Sequence, residues 1–125
     1  MATLKEDLRT FLLAHLETWP IFLDWMPEGE ERAVLLVEYA SGRPLIFGYG
    51  AWARRVQIIV MHGHAREAEG IAYMLFGLLN SKDEEPVELA SGRRCVIRTL
   101  QLPVFLRREG AAFYGFNIVV HTDRR

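Results

Sequence analysis

Apolar residues recur at helical spacing from the start of the chain: Leu4, Leu8, Phe11, Leu12, Leu16 and Trp19 share one face. Thr3 and Glu6 stand at the head of this run as a capping box, in which the Thr3 hydroxyl accepts from the Glu6 backbone and the Glu6 side chain reaches back. The pattern predicts a helix over residues 4–17, ended by Pro20, because the residue before a proline is pushed out of the helical region. The period then shortens. Residues 21–26 read as a short edge strand, Pro27-Glu28-Gly29 turns the chain, and 33–40 is a Val- and Leu-rich strand broken by Ser41-Gly42-Arg43-Pro44. Residues 45–52 read as a loop with Gly48 and Gly50 among Phe47, Tyr49 and Trp52. In 54–62, Val56, Ile58 and Val60 mark one face of a strand, and Arg55, Gln57 and Ile59 the other.

A second helix is expected from near His64 to Asn80, with Ala68, Ile71, Ala72, Leu75 and Leu79 as its buried stripe. Its opposite side carries Gly70, Tyr73 and Gly77. A glycine inside a helix costs about 1 kcal/mol against alanine. The pair therefore reflects either a partner backbone packed close or plain tolerance. A polar loop (81–86) leads to a long strand over 94–106, where Pro103 implies an edge or a bulge. Arg108-Glu109-Gly110 turns into a last strand over 112–122, making a long hairpin. The order α-β-β-β-α-β-β argues for an α+β fold: a mainly antiparallel sheet of four to five strands with two helices packed on one face. At 125 residues the chain, 1–125, is expected to be a single domain.

Val37-Glu38-Tyr39-Ala40-Ser41-Gly42-Arg43 nearly repeats as Val87-Glu88-Leu89-Ala90-Ser91-Gly92-Arg93. The flanks differ, and Ser-Gly turn chemistry at two strand ends accounts for the match. The formal charge of −1 gives no overall attraction to nucleic acid or anionic membrane. Locally, Glu28, Glu30 and Glu31 cluster, as do Asp83, Glu84 and Glu85. Arg54-Arg55, Arg93-Arg94, Arg107-Arg108 and Arg124-Arg125 are basic pairs. Solvated loops and strand ends are the ordinary account of such groups; the sharper one is complementary charge between copies or with a partner. A single cysteine, an early-charged N-terminus and the lack of a long apolar run lead us to expect a reducing cytoplasm and no membrane partner.

Candidate chemistry is sparse. His62 and His64 are the best metal candidates, but Gly63 at a strand-to-helix junction spoils their geometry, and His15 and His121 lie on other elements. Cys95, between Arg94 and Val96 in a strand, reads as a small core residue and not a nucleophile. The sequence holds no serine elbow, P-loop or dinucleotide fingerprint. We expect no catalytic residues, no metal and no cofactor. Arg54-Arg55 beside the aromatic loop has the residue types that hold single-stranded nucleic acid, and equally those of a protein interface.

Three stretches carry a resemblance. The first is the N-terminal amphipathic helix followed by Trp19-Pro20-Ile21-Phe22-Leu23 and a loop ahead of the next strand. The second is Ala53-Arg54-Arg55-Val56-Gln57-Ile58-Ile59-Val60 leading straight into a helix. The third is Leu102-Pro103-Val104-Phe105-Leu106-Arg107-Arg108-Glu109, then Phe113-Tyr114-Gly115-Phe116-Asn117-Ile118. Together they resemble the small tail terminator, or minor capsid, proteins of long-tailed bacteriophages and prophages. The resemblance implies a structural virion protein that forms a homo-oligomeric, typically hexameric, ring, terminates the tail tube and joins it to the head. It further implies tail-tube and head-completion proteins as partners, no specific nucleic acid, and a life in the host cytoplasm during assembly and then in the virion. On that expectation the interface candidates are Phe47, Tyr49, Trp52, Arg54 and Arg55, the Gly70-Tyr73-Gly77 face, and Arg107 with Arg108. The competing readings are a small metal-dependent enzyme through His62 and His64, or a ligand- or nucleic-acid-binding module.

Overall fold

The computed structural model describes residues 3–16, 18–44, 52–82 and 85–122, with the backbone alone at 39–44 and 52. Helix α1 spans Leu4–Leu13, and both halves of the Thr3–Glu6 capping box are made. The bond from the Thr3 backbone N–H holds the Glu6 carboxyl below its ordinary value. The helix ends earlier than its periodicity predicts. Ala14 caps it, and a turn then carries Leu16 and Trp19 into the core as buried side chains.

Seven strands follow: β1 Ile21–Leu23, β2 Arg32–Pro44, β3 Trp52–His62, then, after helix α2 (Ala65–Asn80), β4 Pro86–Glu88, β5 Arg94–Thr99, β6 Val104–Glu109 and β7 Ala111–Thr122. They form one sheet in the order β1-β2-β3-β7-β5-β4, with β6 also paired to β7. The fold is α+β, as expected, but the sheet is larger than four to five strands and is mixed, because β1 runs parallel to β2. Three local causes account for the difference. Strands of three residues, such as β1 and β4, are too short to display an alternation. Ser41 and Gly42 do not end β2; the register shifts between Tyr39 and Arg43, and pairing with β3 resumes to Pro44. The expected strand over 94–106 is two strands. The chain leaves β5 after Thr99, Leu100 N–H donates to the Asn117 carbonyl, and β6 re-enters on the same margin of β7.

β7 is the spine. It pairs along its whole length with β3, and on its other margin with β6 in its first half and β5 in its second. Its alternate residues Phe116, Ile118 and Val120 lie opposite Ile58, Val56 and Arg54 of β3. Phe116, Ile118, Val120, Val56 and Ile58 are fully sealed from solvent, in one core with Leu8 and Leu12 of α1 and Leu75 and Leu79 of α2. Both helices therefore cover the same face, as their stripes predict. Each such side chain contributes about 1.5–3 kcal/mol. A smaller cluster, Ala33, Met61 and Phe113, sits on the opposite face at one end of the sheet.

A buried ion pair ties α1 to the turn between β4 and β5. Arg93 donates to the Asp7 carboxylate at 3.0 Å, and the Ser91 hydroxyl donates to the same oxygen. Asp7 and Arg93 are both buried. This corrects the reading of Arg93-Arg94 as a solvated pair: Arg94 is exposed, but Arg93 is a core residue, because its neighbour across the fold is a carboxylate on the inward side of α1.

Candidate interaction surface

Phe47 and Tyr49 lie outside the described residues, as do Asp83, Glu84, Arg124 and Arg125; Trp52 opens β3 and only its backbone is described. Arg54 and Arg55, adjacent in sequence, point to opposite faces. Arg54 is part-buried and makes a two-pronged ion pair with Glu38, both N–H···O distances being 2.8 Å. Arg55 is exposed on the helix-free face, where it and Arg98 of β5 flank Val119 in register. His121 shares that face and is half-buried; burial and then the neighbouring Arg98 charge lower its pKa.

His62 ends β3 and His64 is the N-cap of α2. Their rings are 5.6 Å apart, and the His64 backbone N–H donates to His62 Nδ1 at 2.9 Å. That bond occupies one lone pair of the ring. Among the described residues no grouping of three or more His, Cys, Asp or Glu side chains suits a metal ion. The two histidines line one wall of an open cleft of about 940 Å³ whose other walls are the 26–32 loop, Arg107 and Phe113. Cys95 is buried, and burial pushes its thiol up to about 11. A thiol so protonated is a core residue, as its place in a strand implies.

On α2, Gly70, Tyr73 and Gly77 are all exposed, with Met74 beside them. Among the described residues a Cβ added at either glycine meets nothing within 4 Å, so no contact there requires them. At the end of the sheet, Arg107 stacks over the Phe113 ring at 4.5 Å and pairs with Glu109, while Arg108 donates to the Gly63 carbonyl at 3.3 Å.

The surface that composition alone did not single out is the margin carrying β6. Leu100, Leu102, Val104 and Phe105 are 48%, 57%, 45% and 53% exposed. They fall within six consecutive residues, the connection from β5 and the start of β6. Among the described residues β6 pairs only with β7, so none of them takes up the backbone groups on its outer margin. Pro103 and the shift of register between Phe105 and Arg107 protect parts of this edge. Charge covers its far end, at Arg107, Arg108 and Glu109, and leaves the 100–105 half apolar. The signal was present in the sequence as leucines on both sides of a proline, but a strand drawn straight through 94–106 hides it.

No protein-family model matches the chain, and no curated protein matches it. No helix among the described residues is long and apolar enough to cross a membrane.

Proposed function

We propose that this chain is a structural assembly protein of a long-tailed bacteriophage or prophage, forming a homo-oligomeric, hexameric ring that ends the tail tube and joins it to the head. The observation that carries the reading is the apolar 100–105 margin beside an edge strand, since contiguous exposed apolar residues at an unpaired sheet edge mark a surface that another chain covers. The three sequence stretches that resemble tail terminators add to it, and one of them includes residues 102–105 of this margin. The exposed Gly70-Tyr73-Gly77 side of α2 supplies a second place for a neighbour to approach closely. In this reading the chain makes and breaks no bond. Its partners are its own copies, the tail tube and head-completion proteins, met in the host cytoplasm and kept in the virion. Contacts between unlike surfaces of identical subunits close into a ring when the rotation per subunit divides a full turn.

The test is to add the purified protein to polymerising tail tubes of the parent phage and image them by electron microscopy. The expected result is a ring at one end of each tube and arrested growth. Tubes that lengthen unchanged and bare in a large excess of the protein overturn the reading.

A further inference from the structure

The 100–105 margin needs a cover, and its charge selects which one. Arg107 and Arg108 follow the apolar residues directly, with Glu109 the only acid in β6. Pairing β6 antiparallel with its own copy about its midpoint sets Arg107 of one chain against Leu106 of the other and Arg108 against Phe105, which leaves the basic pair with no acid opposite it. The better occupant is an apolar segment with acid beside it. The chain carries one: Trp25 is 71% exposed, the most exposed large apolar side chain among those described, and Glu28, Glu30 and Glu31 follow it in the 24–31 loop. Among the described residues none of these three glutamates is held in an ion pair.

We infer that the 24–31 loop of one copy docks on the 100–105 margin of the next, Trp25 against Leu102 and Phe105 and the loop glutamates against Arg107 and Arg108. The loop follows β1, at one end of the strand order, and the margin belongs to the far side of β7. Within one copy the loop glutamates and Arg107 line the same cleft, but Trp25 and the 100–105 residues do not, so the apolar contact joins two different surfaces head-to-tail and each copy keeps one of them open for the next neighbour. A large exposed aromatic with adjacent charge is the composition that dominates interface energies. The inference rests on the self-assembling reading above and names the surfaces that carry it.

Two charge-reversed variants test it: Glu28→Lys with Glu31→Lys, and Arg107→Glu with Arg108→Glu. Mass is read by light scattering over a concentration series. The wild-type chain assembles as concentration rises, and each variant alone weakens assembly by about tenfold or more. Mixing the two variants restores it, because each then meets a neighbour of opposite charge at both of its surfaces. Trp25→Ala, at a position too exposed to disturb folding, weakens assembly to a similar degree with an unchanged thermal unfolding curve. Three results overturn the inference: a wild-type chain that stays monomeric throughout, variants that assemble like wild type, or a mixture that stays dissociated while all four substitutions in one chain restore assembly. The last outcome assigns the charges to pairing within one chain, across the cleft that the loop shares with Arg107. Binding of the wild-type chain to tube ends, measured separately, keeps the ring-terminator reading apart from this contact.

Discussion

Phe116 and Phe105 both belong to the terminal hairpin, and each packs edge-to-face on another ring: Phe116 on Phe76 at 5.7 Å, and Phe105 on Tyr114 at 5.5 Å. Yet Phe116 is sealed from solvent and Phe105 is 53% exposed. One neighbouring ring does not make a core. Phe116 lies on the central strand beneath α2, and Phe105 lies on an edge strand with no element packed over it among the described residues. The difference separates residues that hold the fold together from residues that, in the assembly proposed above, are left for another chain. Truncation at the two positions should therefore diverge. Phe116→Ala is expected to destabilise by about 3–5 kcal/mol, the usual cost of emptying a core aromatic site. Phe105→Ala is expected to cost the monomer less than about 1 kcal/mol, the scale of one edge-to-face contact. Urea unfolding of dilute protein measures both, and equal losses would erase the distinction.

A polar version of the same comparison is Asp7–Arg93 against Arg107–Glu109. The first pair is buried, and the second stands 53% and 72% exposed at 3.4 Å. Removing one partner of a buried pair leaves a charge without compensation, whereas exposed pairs are screened by water and salt. Asp7→Ala should cost about 3 kcal/mol and loosen α1 from the β4–β5 turn. Glu109→Ala should change stability by less than about 0.5 kcal/mol. Salt titration sharpens the contrast, since stability should respond little to ionic strength through the first pair.

Gly115 lies in the middle of β7, opposite Ile59 on one side and Val104 on the other. A Cβ there would stand 2.8 Å from Leu106 Cδ1 and 3.2 Å from the Ile58 carbonyl oxygen. The backbone contact cannot swing aside as the leucine tip can. Gly115→Ala is expected to destabilise by about 1–2 kcal/mol, the cost of modest overpacking. Adding Leu106→Ala should recover part of that loss, a non-additivity expected of two residues in contact.

These positions also mark how far the sequence could be read. The helices, the capping box and the β3 alternation were legible because each is a local repeat longer than one turn or four residues. The buried face followed from them, since Ala68, Ala72, Leu75 and Leu79 need a cover and Val56, Ile58 and Val60 are one. What was not legible depends on residues far apart in the chain. Arg93 looks like any surface arginine until α1 brings Asp7 to it, 86 positions away. Gly42 and Gly92 occupy matching places in the near-repeat, yet Gly92 turns with φ +86° between β4 and β5 while Gly42 lies within β2. The difference is the partner: β3 continues past residues 40–42 and reclaims β2 at Arg43, whereas the chain after Leu89 folds back on itself through the bond from Leu89 N–H to the Arg93 carbonyl. The apolar margin was hidden for the same reason, because only the pairing of both β5 and β6 with β7 reveals that the chain steps off the sheet between them.

The smallest expected effect tests the second exposed surface. Gly70 and Gly77 sit seven residues apart on the outer side of α2, where a helix interior position favours alanine over glycine by about 1 kcal/mol. Neither Cβ would touch anything among the described residues, so Gly70→Ala and Gly77→Ala should each stabilise the monomer by about 0.5–1 kcal/mol, read as a rise in the urea midpoint with an unchanged slope. Their effect on assembly separates the two accounts of the glycines. If a neighbour's backbone packs against this side of α2, two added methyl groups hold it off, and the stabilised chain assembles more weakly than wild type. If the glycines are only tolerated, the double variant is more stable and assembles as before, leaving the 100–105 margin to carry the contact without help from α2.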